Sequence, residues 1–255
     1  MDSSDTAPTP RDYFGESVAA PYEMNVADMF GQAVLHPTVN LLADLAEGGP
    51  ALEFGIGTGR VALPLSQRGI PVHGIDGSLA MIARLQAKPG AGTIGVTLGD
   101  FSTTKVNETF RLVYLVFNTI MNLTTQEAQV ACFRNASAHL RPGGRFVIEV
   151  MVPALRRLPP GETIVPFSVT PTHLGFDEYD VANQGLISHH YRASDRTKWD
   201  YESMPFRYVW PSELDLMARL AGLTLQHRWG GWTREPFTSQ SAQHVSVWGK
   251  MAFEP

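Results

Sequence analysis

The sequence predicts a doubly wound α/β fold, a mostly parallel sheet with helices on both faces. Three observations predict it. Short runs dense in Val, Ile, Leu and Phe recur through the first 150 residues, as strands covered on both faces require. Segments with helical periodicity separate those runs. The first run ends in a glycine-rich turn that opens the next helical segment.

In chain order, residues 1–10 (MDSSDTAPTP) lack the basic and apolar regions of a signal peptide and are expected to be a disordered tail. Strands are expected at 50–54, 71–75, 112–116 and 145–150, with a weaker one at 93–98. Helices are expected over 60–68, 78–88 and 125–140, the last running into the turn signal RPGG at 141–144. After Met151 the rhythm changes: three prolines and a glycine fall between 153 and 161. Strand-like pieces at 163–170, 185–191 and 205–209 follow without long helices between them, which predicts an antiparallel insertion at about 152–210. Within it, Asp177, Glu178 and Asp180 suggest an acidic surface loop. Phe206, Tyr208 and Trp210 fall on one face of a strand and, with Trp199 and Tyr201, offer either a substrate wall or ordinary packing. Ser212 with Asp215 three residues on is a plausible capped start for a helix reaching about 222. Strands at 224–229 and 244–249 then rejoin the main sheet, giving one domain over 11–255.

Composition narrows the class. With 44 % hydrophobic and 18 % charged residues, the 255-residue chain has the make-up of a soluble globular protein. Net charge is −5 and no Lys/Arg cluster occurs, so nucleic acid is not an expected partner. No apolar run approaches the roughly 20 residues of a spanning helix, so no membrane partner is expected either. The single cysteine, Cys132, forms no internal disulfide and is expected half-buried in a helix, which suits a reducing, cytoplasmic setting. No feature assigns an oligomeric state.

The chemistry concentrates at strand ends. In ALEFGIGTGR (51–60), Gly55, Gly57 and Gly59 allow a sharp turn and close approach of a ligand to the backbone. Asp76 closes the second strand, where a carboxylate can accept from two ribose hydroxyls. Asp100 and Phe101 follow the third strand and could meet an adenine amine and ring; Asn118 and Thr119 lie just past the fourth. Ligands of such sheets sit in the crevice beyond the carboxyl ends of the strands.

These motifs resemble those of the class I S-adenosylmethionine-dependent methyltransferases, which have a Rossmann-like sheet. EFGIGTG (53–59) is similar to their acidic glycine signature, GIDGSLAM (74–81) to their ribose motif, and GDF (99–101) to their adenine motif. LVFNTIMNL (115–123) resembles the segment beneath the methyl group, and LRPGGRF (140–146) the turn into the fifth strand. The resemblance implies S-adenosyl-L-methionine as cofactor. It implies that Glu53, Gly55, Gly57 and Gly59 approach the methionine portion and that Asp76, Gly77 and Met81 flank ribose and adenine. Asp100 and Phe101 would hold adenine, while Leu115 and Phe117 would line the reaction centre. The layout is similar to bacterial enzymes that N-methylate amino sugars and other antibiotic intermediates, which carry an N-terminal helical lid with tyrosines, here Tyr13 and Tyr22, and an antiparallel substrate-covering insertion. Some of those enzymes have a histidine where this chain has Asn122, so a base there is not implied.

In-line displacement at a sulfonium methyl group requires alignment and exclusion of water. An amine acceptor needs only to lose its proton, whereas a hydroxyl acceptor usually wants a base. Candidate polar groups are Asn122, Glu149, His173, His189 and His190, with Phe117 beside the methyl group. Adjacent His189 and His190 point to opposite faces of a strand, so at most one faces an acceptor. Metal binding is not expected, and the acceptor is expected to be a small molecule. Among rivals, a nicotinamide oxidoreductase would want a glycine where Arg60 stands, and a nucleic-acid methyltransferase would want a basic groove. O-methylation of a hydroxylated metabolite and a non-catalytic cofactor-binding regulator remain open.

Overall fold

The computed structural model describes residues 14–20, 22–25, 27–193 and 198–252. The expected tail, residues 1–10, and Tyr13 lie outside the described residues.

Two short helices, α1 (Glu16–Ala19) and α2 (Tyr22–Asn25), and a 3-10 turn at Ala27–Phe30 precede the long helix α3 (Gln32–Ala46). The main sheet then begins with β1 (Ala51–Phe54), α4 (Ala62–Gln67), β2 (Val72–Asp76), α5 (Leu79–Gln86) and β3 (Gly95–Leu98). β4 (Phe110–Leu115), a 3-10 turn (Thr119–Asn122), α6 (Gln126–His139) and β5 (Leu140–Met151) follow. The insertion comprises β6 (Ile164–Val169), β7 (His173–Asp180), β8 (Gly185–Ala193) and β9 (Trp199–Arg207). Then come α7 (Pro211–Leu220), β10 (Leu223–Trp229) and β11 (Gln243–Lys250).

The seven-stranded sheet has the order β10-β11-β5-β4-β1-β2-β3. β5, β4, β1, β2 and β3 are parallel, and β11 and β10 add on antiparallel. The chain runs outward from β1 to β3 and returns at β4 on the other side of β1. The crevice between the ends of β1 and β4 is therefore the switch point where such sheets take ligands.

Side-chain alternation explains the layering. Leu52 and Phe54 join one buried cluster, with Phe133, Phe146 and Trp248 in contact edge to face. Ala51 lies on the opposite face in a second cluster with Leu42, Leu65 and Val247. α3 presents Val39, Leu42 and Ala46 to that second cluster, at helical spacing. Cys132 is wholly buried in α6, deeper than the half-burial expected, and burial pushes its thiol up.

The four-stranded antiparallel sheet, order β6-β7-β8-β9, confirms the expected insertion. One face buries Val165, Tyr179 and Leu186 against the first cluster. At its base the Arg207 guanidinium bonds Glu213 of α7 at 2.7 Å, Gln184 at 3.1 Å and the Gln129 side chain of α6. The Gln129 amide donates to the carbonyls of both Ile120 (3.2 Å) and Arg207 (3.1 Å), so the foot of β9 is tied to the 3-10 turn after β4.

Four local expectations are corrected. Asp177, Glu178 and Asp180 lie in β7, not in a loop; pairing along both edges, with β6 and β8, outweighs the poor strand propensity of aspartate. β9 ends at Arg207, so Tyr208 and Trp210 share no strand face; Tyr208 is buried and Trp210 caps α7, whose first residue is Pro211. Ser212 is consequently inside the helix, and Asp215 accepts instead from Arg228 (2.7 Å) and Trp248 (3.0 Å). The RPGG segment belongs to β5, where the pairing with β4 shifts register between Phe110 and Leu112 and Gly143 takes a positive φ of 75°.

Candidate active site

The glycine turn leaves β1 with φ of +69° at Gly55 and +54° at Gly57, a region costly for a residue bearing a Cβ. The Gly55 amide donates to the Ile75 carbonyl at 2.8 Å, fastening the turn to β2. Asp76, the last residue of β2, accepts from the amides of Gly57 (2.7 Å) and Ser78 (2.8 Å), one on each carboxylate oxygen. A Cβ at Gly57 would approach only the Gly55 carbonyl, at 4.0 Å, and one at Gly77 only the Gly99 carbonyl, at 3.9 Å. Among the described residues, no side chain crowds either glycine beside Asp76. Gly59 differs: a Cβ there would strike Leu85, so this glycine lets α5 pack against the turn.

Beneath the turn Glu53 is buried, and the Tyr114 hydroxyl donates to it at 3.0 Å; the two residues are register partners across β1 and β4. Burial pushes the Glu53 carboxyl up to about 8, so it is largely protonated at neutral pH. Met81 is buried on α5, and the fully buried Leu115 packs in the core. Beyond β3, the exposed Asp100 accepts from the Ser102 amide at 2.7 Å, and Phe101 stacks on Phe54 with centroids 5.9 Å apart.

Past β4 the chain turns sharply. Phe117 (φ 58°) and Asn118 (φ 61°) are consecutive left-handed residues, neither of them glycine. The Phe117 amide donates to Glu149 Oε2 at 2.9 Å, and the Trp232 indole donates to Oε1 at 2.9 Å. Asn118 Oδ1 accepts from the Met151 amide at 2.7 Å. The Arg60 guanidinium lies over the Phe117 ring, 5.4 Å from its centroid. Asn122 ends the following 3-10 turn, half-buried.

The N-terminal helices lie against this region. Arg84 of α5 pairs with Glu16 at 2.8 Å, Lys88 pairs with Glu23 and donates to the Thr58 carbonyl, and Ser78 donates to the Phe14 carbonyl at 2.6 Å. Burial raises the Tyr22 hydroxyl; the Arg60 cation opposes this while Asp76 and Glu53 reinforce it, so the tyrosine shares the field of the turn.

The two candidate histidines point to opposite faces of β8, as alternation requires. His189 bonds Tyr201 (2.8 Å) and Glu178 (3.1 Å) in a row stacked with Phe176 and Tyr191. His190 lies on the face that packs towards the core, stacked on His173 with ring nitrogens 3.0 Å apart. Burial, then Arg192 and the neighbouring histidines, bring His190 down to about 4, and burial also lowers His173. Among the described residues, neither His189 nor His190 has a hydrogen bond or ring contact with Phe117 or Asn122.

Sequence reasoning missed Tyr114 and the stacking of Arg60 on Phe117. Tyr114 carried a signal, a hydroxyl in an otherwise apolar run, but its partner is visible only once β4 is known to lie beside β1. Among the described residues no group of three or more His, Cys, Asp or Glu is placed to hold a metal ion, and no helix is long and apolar enough to cross a membrane.

A glycine turn bonded to Asp76, at the switch point of a seven-stranded sheet with an antiparallel edge, is the architecture of a class I methyltransferase. The chain belongs to the S-adenosylmethionine-dependent methyltransferases, and S-adenosylmethionine is its cofactor. Residues 51–144 match the family model described as a methyltransferase domain. The chain is 34 % identical to the CcbJ methyltransferase of Streptomyces caelestis, whose structure superposes with a TM-score of 0.78 over 89 % of this chain and 96 % of that one. The cypemycin N-terminal methyltransferase of a Streptomyces species is 27 % identical over 227 residues, 84 % of this chain and 91 % of the relative. The sugar N-methyltransferase KedS8 of Streptoalloteichus shares the fold, at 17 % identity and a TM-score of 0.66, over 98 % of this chain and 99 % of that one.

Proposed function

We propose that the chain methylates an amine nitrogen of a small molecule in antibiotic or other secondary metabolism. The observation that carries this reading is Glu149: the carboxylate beside Phe117 is buried and holds the Phe117 amide and the Trp232 indole, one N–H on each oxygen, and so is placed as an anchor for the turn rather than as a base. An amine that arrives deprotonated needs none; a hydroxyl does. The names of the cypemycin N-terminal methyltransferase and the sugar N-methyltransferase agree with nitrogen as acceptor atom.

The residues present fit S-adenosylmethionine. Gly55 and Gly57, with Glu53 beneath them, form the cradle for its methionine portion. Asp76 would accept from the ribose hydroxyls, beside Gly77 and Met81, while Asp100 and Phe101 would bound the adenine. When bound, the cofactor supplies a methyl group on a positively charged sulfur that leaves as a neutral thioether. Phe117, two residues past Leu115, forms a wall of the reaction centre, and Asn122 helps to shape the acceptor space. Tyr13 and Tyr22 belong to a lid that excludes water, and the insertion at about 152–210 roofs the acceptor within one domain spanning 11–255. His189 and His190 then shape the roof. No nucleic acid or membrane takes part, and the setting is cytoplasmic.

Formation of S-adenosylhomocysteine with amino-sugar, amino-acid-derived and phenolic acceptors, assayed across pH, tests the proposal. Turnover of amines, rising with pH until the free amine dominates, supports it. Turnover of phenols alone overturns it.

A further inference from the structure

Phe117 and Asn118 are two successive non-glycine residues in the left-handed region, a strained backbone that persists only where the surroundings impose it. Glu149, near the end of the neighbouring strand β5, imposes it. Its backbone carbonyl accepts from the Asn118 amide (3.3 Å), its Oε2 from the Phe117 amide (2.9 Å), and its Oε1 from the Trp232 indole (2.9 Å). The carboxylate is buried and holds two N–H groups from segments far apart in sequence, the turn after β4 and the connection between β10 and β11. An acceptor with two oxygens suits this place because, among the described residues, neither N–H has another partner. The Phe117 ring itself lies under the Arg60 guanidinium, which is bonded to the Met29 carbonyl at 3.2 Å. Backbone and ring of Phe117 are therefore held from two independent directions.

We propose that Glu149 is a positioning residue for methyl transfer: its carboxylate sets the backbone of Phe117 and thereby the wall against which the acceptor nitrogen and the methyl carbon align. The inference rests on the place given to Phe117 at the reaction centre. A displacement of about 1 Å in such a wall can lower a rate on the order of 100-fold without weakening cofactor binding.

The test uses the full chain with the amino-sugar or amino-acid-derived amine that turns over fastest, and reads kcat, KM, Tm and calorimetric binding of S-adenosylhomocysteine on each variant. Glu149→Gln turns an N–H donor towards one of the two N–H groups it now accepts from, and kcat is expected to fall 10- to 100-fold with S-adenosylhomocysteine affinity within about threefold. Adding Trp232→Phe removes one of those donors, so the glutamine oxygen can face the Phe117 amide and kcat recovers to within about threefold of Trp232→Phe alone. Glu149→Met with Trp232→Phe offers no acceptor and stays low. Should Glu149→Gln alone not fold, the two paired variants carry the comparison. Equal kcat in both pairs overturns the proposal, as does an unchanged kcat in Glu149→Gln. A loss of kcat matched by an equal loss of cofactor affinity also overturns it, because it marks a collapsed cradle. Phe117→Leu separates the two readings. Unchanged kcat there removes Phe117 from the reaction centre and the inference with it; a fall there beside an unaffected Glu149→Gln overturns the inference alone.

Discussion

The Gly57 amide donates to Asp76 Oδ2 at 2.7 Å, joining the middle of the glycine turn to the end of β2. One carboxylate therefore shapes both the glycine turn and the start of the segment that follows β2, through the Gly57 and Ser78 amides. Asp76→Ala is expected to weaken S-adenosylmethionine binding by about 10- to 100-fold, the span of losing one charge-assisted hydrogen bond. Asp76→Asn, which keeps one oxygen, is expected to fall between. Calorimetry decides: equal affinity for wild type and Asp76→Ala would remove Asp76 from the cofactor site.

The N-terminal helices hold to α5 through Arg84–Glu16 and Lys88–Glu23, pairs that are partly exposed and individually weak. Such a segment is suited to opening. Amide exchange over residues 14–30 is expected to slow when S-adenosylhomocysteine is added, and Tyr22→Ala is expected to reduce the slowing. Identical exchange with and without ligand would leave these helices as ordinary packing.

Glu53 titrates at about 8 in the fold against an ordinary value of 4.5, with burial as the chief cause. Between those values the unfolded chain has lost a proton that the folded chain keeps, so stability falls as pH rises from about 4.5 to 8. Glu53→Gln is expected to remove this slope, at most about 1.4 kcal/mol per pH unit. Urea melts of the ligand-free protein at pH 5 and pH 8 read it; parallel pH trends in both proteins would refute the perturbed carboxyl.

Arg207 and Glu213 form a largely buried ion pair, with 8 % and 14 % of their side chains exposed. Arg207→Met leaves Glu213 without its counter-charge, held by the Gln126 and Gln184 amides alone, and the Gln129 oxygen without its guanidinium donor; it is expected to cost about 3–5 kcal/mol. Because the same network ties β9 to the turn after β4, acceptor KM is expected to rise as well. A urea midpoint within error of wild type would show the network to be dispensable.

His190 titrates at about 4 and is bonded to His173 rather than to a group at the reaction centre. For an amine acceptor, His189→Ala and His190→Ala are expected to keep the wild-type rise of rate with pH, with effects confined to acceptor KM. Loss of 10²-fold or more in kcat from either change would restore a histidine base and favour a hydroxyl acceptor.

The sequence by itself determined the alternation of strands and helices, the glycine turn, Asp76 at its strand end and the antiparallel character of the insertion. These are local properties: apolar periodicity sets the element, and a missing Cβ sets the turn. It misplaced β7, because the carboxylates of Asp177 and Asp180 disfavour a strand locally while pairing on both edges stabilises one. It also misplaced the end of β9, where aromatic alternation through Trp210 concealed the Pro211 helix start. Glu149 was visible only as one polar side chain among several. Its engagement by Phe117 and Trp232 depends on β5 lying between β4 and β11, a long-range pairing that no local pattern encodes. Tertiary structure alone decided the protonation of Glu53 as well, since a carboxyl is neutral there only because neighbouring strands withdraw it from water.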